Sequence, residues 1–376
     1  MPPHPVTLTA DSLAAMLNLE LADHAVYDGL ELQWFDDETH GTGMLAFLSR
    51  RADRSVDYYA APGLRLDRDG YRIGGGTRSW NEAAFDVARL AVADDGVDAE
   101  ARFVDVDGRE IHVRVDDRDG RRRRRARFLA PVGSGIEDPG ELLLVWMPAF
   151  DLVHASGRGV AVTIDGVPAA TGRLPGQGLH RRVLVKYAAP VLTLGVAREH
   201  DGPLADLAPG LTEPGPDGVG GSGVAAVVAQ AGDGAGALGQ SGGGAGPLAR
   251  LAFSPAFPDV TALPDGASRS GRWDVSVDGW AITGGVWDAA RTGDVVDLGL
   301  DVTQRWRPRR LPPLMRVVTS VVPVFRRWPT TYRWRATVTL GAEPRLVGRW
   351  ERTSLASADD YRRATGSAGS AAAADA

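Results

Sequence analysis

Cysteine is absent from all 376 residues, which excludes disulfides, Cys-ligated zinc, iron–sulfur clusters and thiol catalysis. Lysine is nearly absent: Lys186 stands alone beside 41 arginines. It lies in Val183-Leu-Val-Lys-Tyr-Ala-Ala189, where a buried amine of lowered pKa can form a Schiff base. An arginine-biased composition explains its solitude equally well. No apolar run reaches the ~20 residues needed to span a bilayer. The longest, Leu311–Phe325, is broken by Arg316, Thr319, Ser320 and prolines. Met1-Pro-Pro-His-Pro5 has neither a basic n-region nor an apolar h-region, so the expectation is a cytoplasmic protein, in contact with membranes at most from one side. The seven histidines show no H-x-H or H-E-x-x-H spacing, and neither a metal nor a cofactor is expected.

What is present is globular. Hydrophobic residues make up 44% and charged residues 24%, which excludes wholesale disorder. The net charge of −6 argues against a whole-surface nucleic-acid binder. A short helix is expected to open the chain, with Asp11 as cap and Leu13, Met16 and Leu17 at helical spacing. From about residue 26 the period becomes two. Asp95-Gly96, Asp107-Gly108 and Asp119-Gly120 recur every twelve residues, and Asp-Gly suits the type I′ turn of a hairpin. Across the middle turn the alternation places Val104 and Val106 with Ile111, Val113 and Val115 on one face. Asp165-Gly166 and Asp278-Gly279 repeat the device, and alternation returns over Val296–Val302 and Tyr332–Leu340. No long helical pattern separates these strands, so the expected class is all-β, as antiparallel barrels or sandwiches.

The glycine-rich stretch 201–248 reads as a linker or long surface loop. It divides an N-terminal β domain, 1–200, from a C-terminal one, 249–352, and residues 353–376 read as a disordered tail. Two motifs fail on context. Gly239-Gln-Ser-Gly-Gly243 matches a nucleophile elbow without the flanking strand and helix. Ile73-Gly-Gly-Gly-Thr77 reads better as a turn than as an anion nest. The run Arg121–Arg125, joined by Arg118 and Arg127, follows three aspartates and reads as a solvated hairpin end.

Residues 301–352 hold twelve arginines and three acids, Asp301, Glu343 and Glu351, a local charge of +9. Seven of the ten tryptophans lie between 273 and 350. Arg305, Arg307, Arg309, Arg310, Arg326 and Arg327, interleaved with tryptophan, suit an anionic membrane surface; nucleic acid is the less favoured partner. Arginines covering a β core are the plain alternative. Phe35-Asp-Asp-Glu-Thr-His40 ends the candidate strand Leu30–Phe35, making Asp36, Asp37 and His40 candidates for general acid/base chemistry, with a plain polar turn as the other reading. Trp34, Trp146, Tyr187 and Trp334 are candidate walls for an apolar ligand, or simply core.

The tandem β domains, the strand Glu31-Leu-Gln-Trp-Phe-Asp-Asp37 running into an acidic turn, and the tryptophan-rich second half resemble the double-lipocalin family of carotenoid 1,2-hydratases, tocopherol cyclases and fungal Diels–Alderases. The resemblance implies two lipocalin-like bodies around an apolar cavity and a hydrophobic, isoprenoid- or polyketide-like ligand. It further implies hydratase, isomerase or cyclase chemistry without a cofactor. A non-catalytic lipid carrier or a membrane-surface module is the reading from another class.

Overall fold

The computed structural model describes residues 4–53, 55–69, 71, 77–130, 139–155, 159–171, 183–207, 225–230, 247–306, 311, 313–321 and 328–352. Within them, the side chains of 152–155, 183–188, 225–230, 314, 315, 318 and 321 lie outside the description. The chain is nearly all β. Its first half contains β1 (Leu8–Glu20), β2 (Tyr27–Asp37), β3 (Gly41–Arg50), β4 (Val56–Ala60), β5 (Thr77–Glu82), β6 (Val87–Ala93) and β7 (Gly96–Val104). Then follow β8 (Glu110–Asp116), β9 (Ala126–Ala130), β10 (Leu142–Ala155), β11 (Val160–Ile164), β12 (Val167–Pro168) and β13 (Val183–Val196). The second half contains β14 (His200–Pro203), β15 (Ala225–Gln230), β16 (Leu248–Ser254), β17 (Ser268–Val277), β18 (Trp280–Thr292) and β19 (Val295–Gln304). Among the described residues one α-helix, α1 (Pro313–Val321), precedes β20 (Tyr332–Thr339) and β21 (Arg345–Arg352), and a 3-10 turn, Leu204–Asp206, follows β14. Among the described residues no helix is long and apolar enough to cross a membrane.

The described strands form three sheets. The first has eight strands in the order β5-β4-β3-β2-β1-β13-β10-β9, and a five-stranded sheet runs β12-β11-β8-β7-β6. The third is an eight-stranded meander, β14-β21-β20-β19-β18-β17-β16-β15, antiparallel at every step. The fold includes a curled half-barrel sheet. One core lies between the first sheet and the five-stranded sheet, where Leu17, Leu32 and Ala46 meet Ala99, Ile111 and Val113. A second joins Leu144, Leu192 and Leu194 of the first sheet to Trp273, Trp287 and Trp334 of the meander. A third, with Met16, Phe35, Phe47, Tyr58 and Val191, covers the other face of the first sheet. The central strands of that sheet are therefore buried on both sides.

The expected opening helix is a strand. β1 pairs with β13 and β2, and its register shifts between Leu13 and Met16. Such a bulge adds a residue and reverses the alternation. Leu13 and Met16, three apart, thus share one core while Ala15 and Leu17 enter another, and the spacing mimics a helix. The stretch 201–248 is likewise not all linker, since β14, β15 and the start of β16 lie within it. They supply both edge strands of the meander and bring it to eight.

Two of the five Asp-Gly pairs form the expected type I′ turn; at Asp95-Gly96, Asp107-Gly108 and Asp119-Gly120 only the glycine has positive φ. Asp165, Gly166, Asp278 and Gly279 all have positive φ, the signature of type I′. The twelve-residue rhythm is only partly one meander: β6, β7 and β8 pair in turn, but β9 crosses to the first sheet. The face assigned to Val104 and Val106 is also corrected. Phe103 pairs with Ile111 and both are buried, whereas Val104 and Val106 are exposed. The five residues 105–109 between β7 and β8 shift the register by one from that of a two-residue turn.

Tight backbone approach holds the meander together at Gly285, where a side chain would run into the Asp301 carbonyl of β19. Backbone cannot rotate aside, so Gly285→Ala is expected to cost about 1–3 kcal/mol. Gly341→Ala, in open space, should change stability by less than about 0.5 kcal/mol. Urea denaturation of the two variants checks the difference.

Candidate functional sites

Strand alternation sorts the sequence Glu31–Asp37 onto two faces. Leu30, Leu32 and Trp34 pack toward the five-stranded sheet. Glu31, Gln33, Phe35 and Asp37 occupy the opposite face, in the third core and at its rim. Glu31 is 3% exposed and Gln33 is fully buried. A carboxylate in such a place is costly unless hydrogen-bonded. Asn18 Nδ2 donates to one oxygen of Glu31 at 2.7 Å and Gln33 Nε2 to the other at 2.6 Å. Gln33 in turn accepts from the Tyr71 hydroxyl.

Aromatic rings close around this chain of polar groups. Tyr58 stacks on Trp80 at 4.3 Å, and Tyr71 meets both edge-on at 5.7 and 5.6 Å. Burial, and next the Glu31 charge, push both phenols above their ordinary range, so they remain hydroxyl donors. The arrangement sets a carboxylate with an amide donor on each oxygen beside two phenols.

At the rim, Asp37 closes the β2–β3 turn by accepting from the His40 backbone N–H at 2.7 Å. Its carboxylate also lies 2.9 Å from His40 Nδ1, and Asp11 is 3.3 Å from Nε2. The Asp11 carboxylate lifts the imidazole, burial opposes it and Asp37 adds to the lift, leaving His40 at about 9. Asp36 does not join them. It is exposed on the other face of β2, where it accepts from Thr42 Oγ1 at 2.8 Å. The three residues read together from sequence thus divide into a turn-closing pair and a surface carboxylate.

A second constellation lies where the first sheet meets the meander. A cleft of ≈ 430 Å³ is lined by Arg127, Trp146, Trp280, Gln304, Arg305 and Trp306, among others. Arg127 reaches it from β9, Trp146 from β10, and the positive-φ Asp278-Gly279 turn presents Trp280. Trp306 stands edge-on to Trp146 at 6.2 Å and to Phe128 at 5.7 Å.

Of the sequence-derived candidates, Trp146 and Arg305 therefore line the cleft. Trp34 packs in the core against the five-stranded sheet, and Trp334 is 1% exposed inside the meander. Tyr187 pairs through its backbone with Asn18, but its side chain, like that of Lys186, lies outside the described residues. So do Arg307, Arg309, Arg310, Arg326 and Arg327, as well as the Gly239–Gly243 motif and residues 73–76. Sequence reasoning missed Glu31, Gln33, Tyr58, Tyr71 and Trp80 as a group. The available signal was two polar residues, 31 and 33, sharing a strand face with Phe35.

Among the described residues no group of three or more His, Cys, Asp or Glu side chains is arranged to hold a metal ion. Set against protein-family models, curated proteins and solved structures, the chain matches none.

The rim pair carries a pH signature. The folded His40 value lies above the ordinary ~6.5, so its stabilisation is complete below about pH 6.5 and is lost as pH rises through 9. Allowing for screening at the half-exposed Asp11, stability should fall by about 2 kcal/mol between those limits. Urea denaturation at the two pH values measures it, and His40→Asn should abolish the difference.

Proposed function

We propose that the protein binds a hydrophobic small molecule, isoprenoid- or polyketide-like, in the cleft between the first sheet and the meander. The carrying observation is the cleft itself. Its volume of ≈ 430 Å³ falls within the range of small-molecule sites, and three indole rings help form its walls. The eight-stranded antiparallel meander supports a double-lipocalin-like layout with the ligand held at a junction of β bodies. All-trans-retinol is a suitable neutral probe, read by quenching of tryptophan fluorescence. Trp280→Ala should weaken its binding about tenfold, close to 1.4 kcal/mol. Unchanged affinity, or no binding by the parent protein, overturns the reading.

A second reading, catalysis without a cofactor, is favoured by Glu31. Glu31 is 3% exposed with an amide N–H on each oxygen, so a carbon acid must displace the Asn18 or Gln33 amide before the carboxylate can take its proton and return it at another position. The C–H electron pair enters the substrate's π system, a carbonyl oxygen takes up the charge, and reprotonation completes an isomerisation. The test is deuterium incorporation from D2O into β-ionone, followed by mass spectrometry. Glu31→Gln should slow it by about 10²–10⁴-fold. Equal rates in the two proteins indicate a carrier without this chemistry.

A further inference from the structure

Three of the seven arginines in segment 118–127 pair with described carboxylates at close range. Arg118 pairs with Asp95 at 3.0 Å and Arg122 with Asp94 at 3.4 Å. Arg123 pairs with Asp117 at 2.6 Å and reaches Asp151 at 3.5 Å. Arg127 is different. It projects from β9 on the side opposite Ala126 and Phe128, which enter the third core. Its guanidinium carbon lies 3.7 Å from the centre of the Trp280 ring, and no described carboxylate pairs with it. The nearest acid along the chain from Trp280, Asp278, is turned away to accept from the Leu248 backbone N–H at 3.0 Å.

Stacking on an indole uses the face of a guanidinium and leaves its N–H edge available. That edge is a planar fork that matches a carboxylate or phosphate oxygen pair. Arg305 adds a second guanidinium to the lining, Gln304 a neutral amide, and no lining residue is acidic. Trp146, Ile282 and Trp306 offer apolar wall beside these donors. A site with positive charge at one part and indole at the rest discriminates by charge as well as by hydrophobicity.

We propose that the cleft selects apolar small molecules that end in an oxyanion, carboxylate or phosphate, and that Arg127 reads the charge. The proposal rests on the cleft as the ligand site and adds the ligand's chemical class. Laurate, dodecyl phosphate and 1-dodecanol share one tail, so titration of the full-length protein with each separates the two ideas. Binding is read by tryptophan quenching below micellar concentrations.

Both anions should bind at least about tenfold more tightly than the alcohol. Arg127→Gln should narrow that difference at least about threefold, with Arg305 supplying the remainder, while leaving alcohol affinity within about twofold; an unchanged difference overturns the role of Arg127. Inorganic phosphate, which lacks a tail, should not displace either amphiphile. Alcohol bound as tightly as the anions by the parent protein overturns the charge reading and leaves the hydrophobic site standing. Failure of all three to bind overturns both. Displacement by inorganic phosphate overturns the proposal by reducing the site to an anion contact. A circular-dichroism spectrum matching the parent's establishes that Arg127→Gln is folded, and the parent's own preference decides the matter without it.

Discussion

A sheet covered on both faces leaves its polar side chains no water to turn to. That condition governs the centre of the first sheet, which has one core against its partner sheets and another on its opposite side. The charged groups there are answered by protein groups, while the Trp80 indole N–H in β5 is left without a partner among the described residues. Glu31 has Asn18 and Gln33. Asp57, fully buried, receives Arg50, Arg78 and Ser79. Tyr27 donates to Asp105 at 2.7 Å and so ties β2 to the loop between β7 and β8. Leaving such a group unanswered costs about 1–3 kcal/mol, more for a charge, so these networks fix which strand faces which core.

Local chemistry was legible in the sequence wherever it was also sufficient. Type I′ turns form at Asp165-Gly166 and Asp278-Gly279, where two strands pair directly across the dipeptide, and the alternation over Val296–Val302 and Tyr332–Leu340 matches β19 and β20. Legibility ended where tertiary structure changed the count. A bulge in β1 turned a strand into a helical spacing, and a five-residue connection moved Val104 to the surface. Strands β14 and β15 were hidden in glycine-rich text because a short edge strand needs only one good neighbour, β21 or β16.

The functional residues divide in the same way. Trp146 and Arg305 were visible as candidates by residue type, yet their meeting across two sheets was not. Asp36 and Asp37 are adjacent in sequence and opposite in space, a separation that alternation imposes on any neighbouring pair in a strand. Glu31 was passed over because its significance lies in its burial rather than in its spacing. The arginines of the second half also prove less free than their number suggests: Arg333 meets Glu351, Arg335 meets Asp301 and Arg345 meets Asp201. Charge density along a chain is thus a poor guide to charge left over in the fold.

The two short edge strands of the meander have a consequence for how the protein can be divided. β14 follows directly on β13, and β15 lies beyond it, so both borders of the second eight-stranded sheet are encoded before residue 231. A gene split in the glycine-rich text after β15 would leave the C-terminal piece with β16 and β21 bare along one side, their amides and carbonyls open to any passing strand. The halves are spliced across each other, and each would be expressed alone with a ready template for self-association.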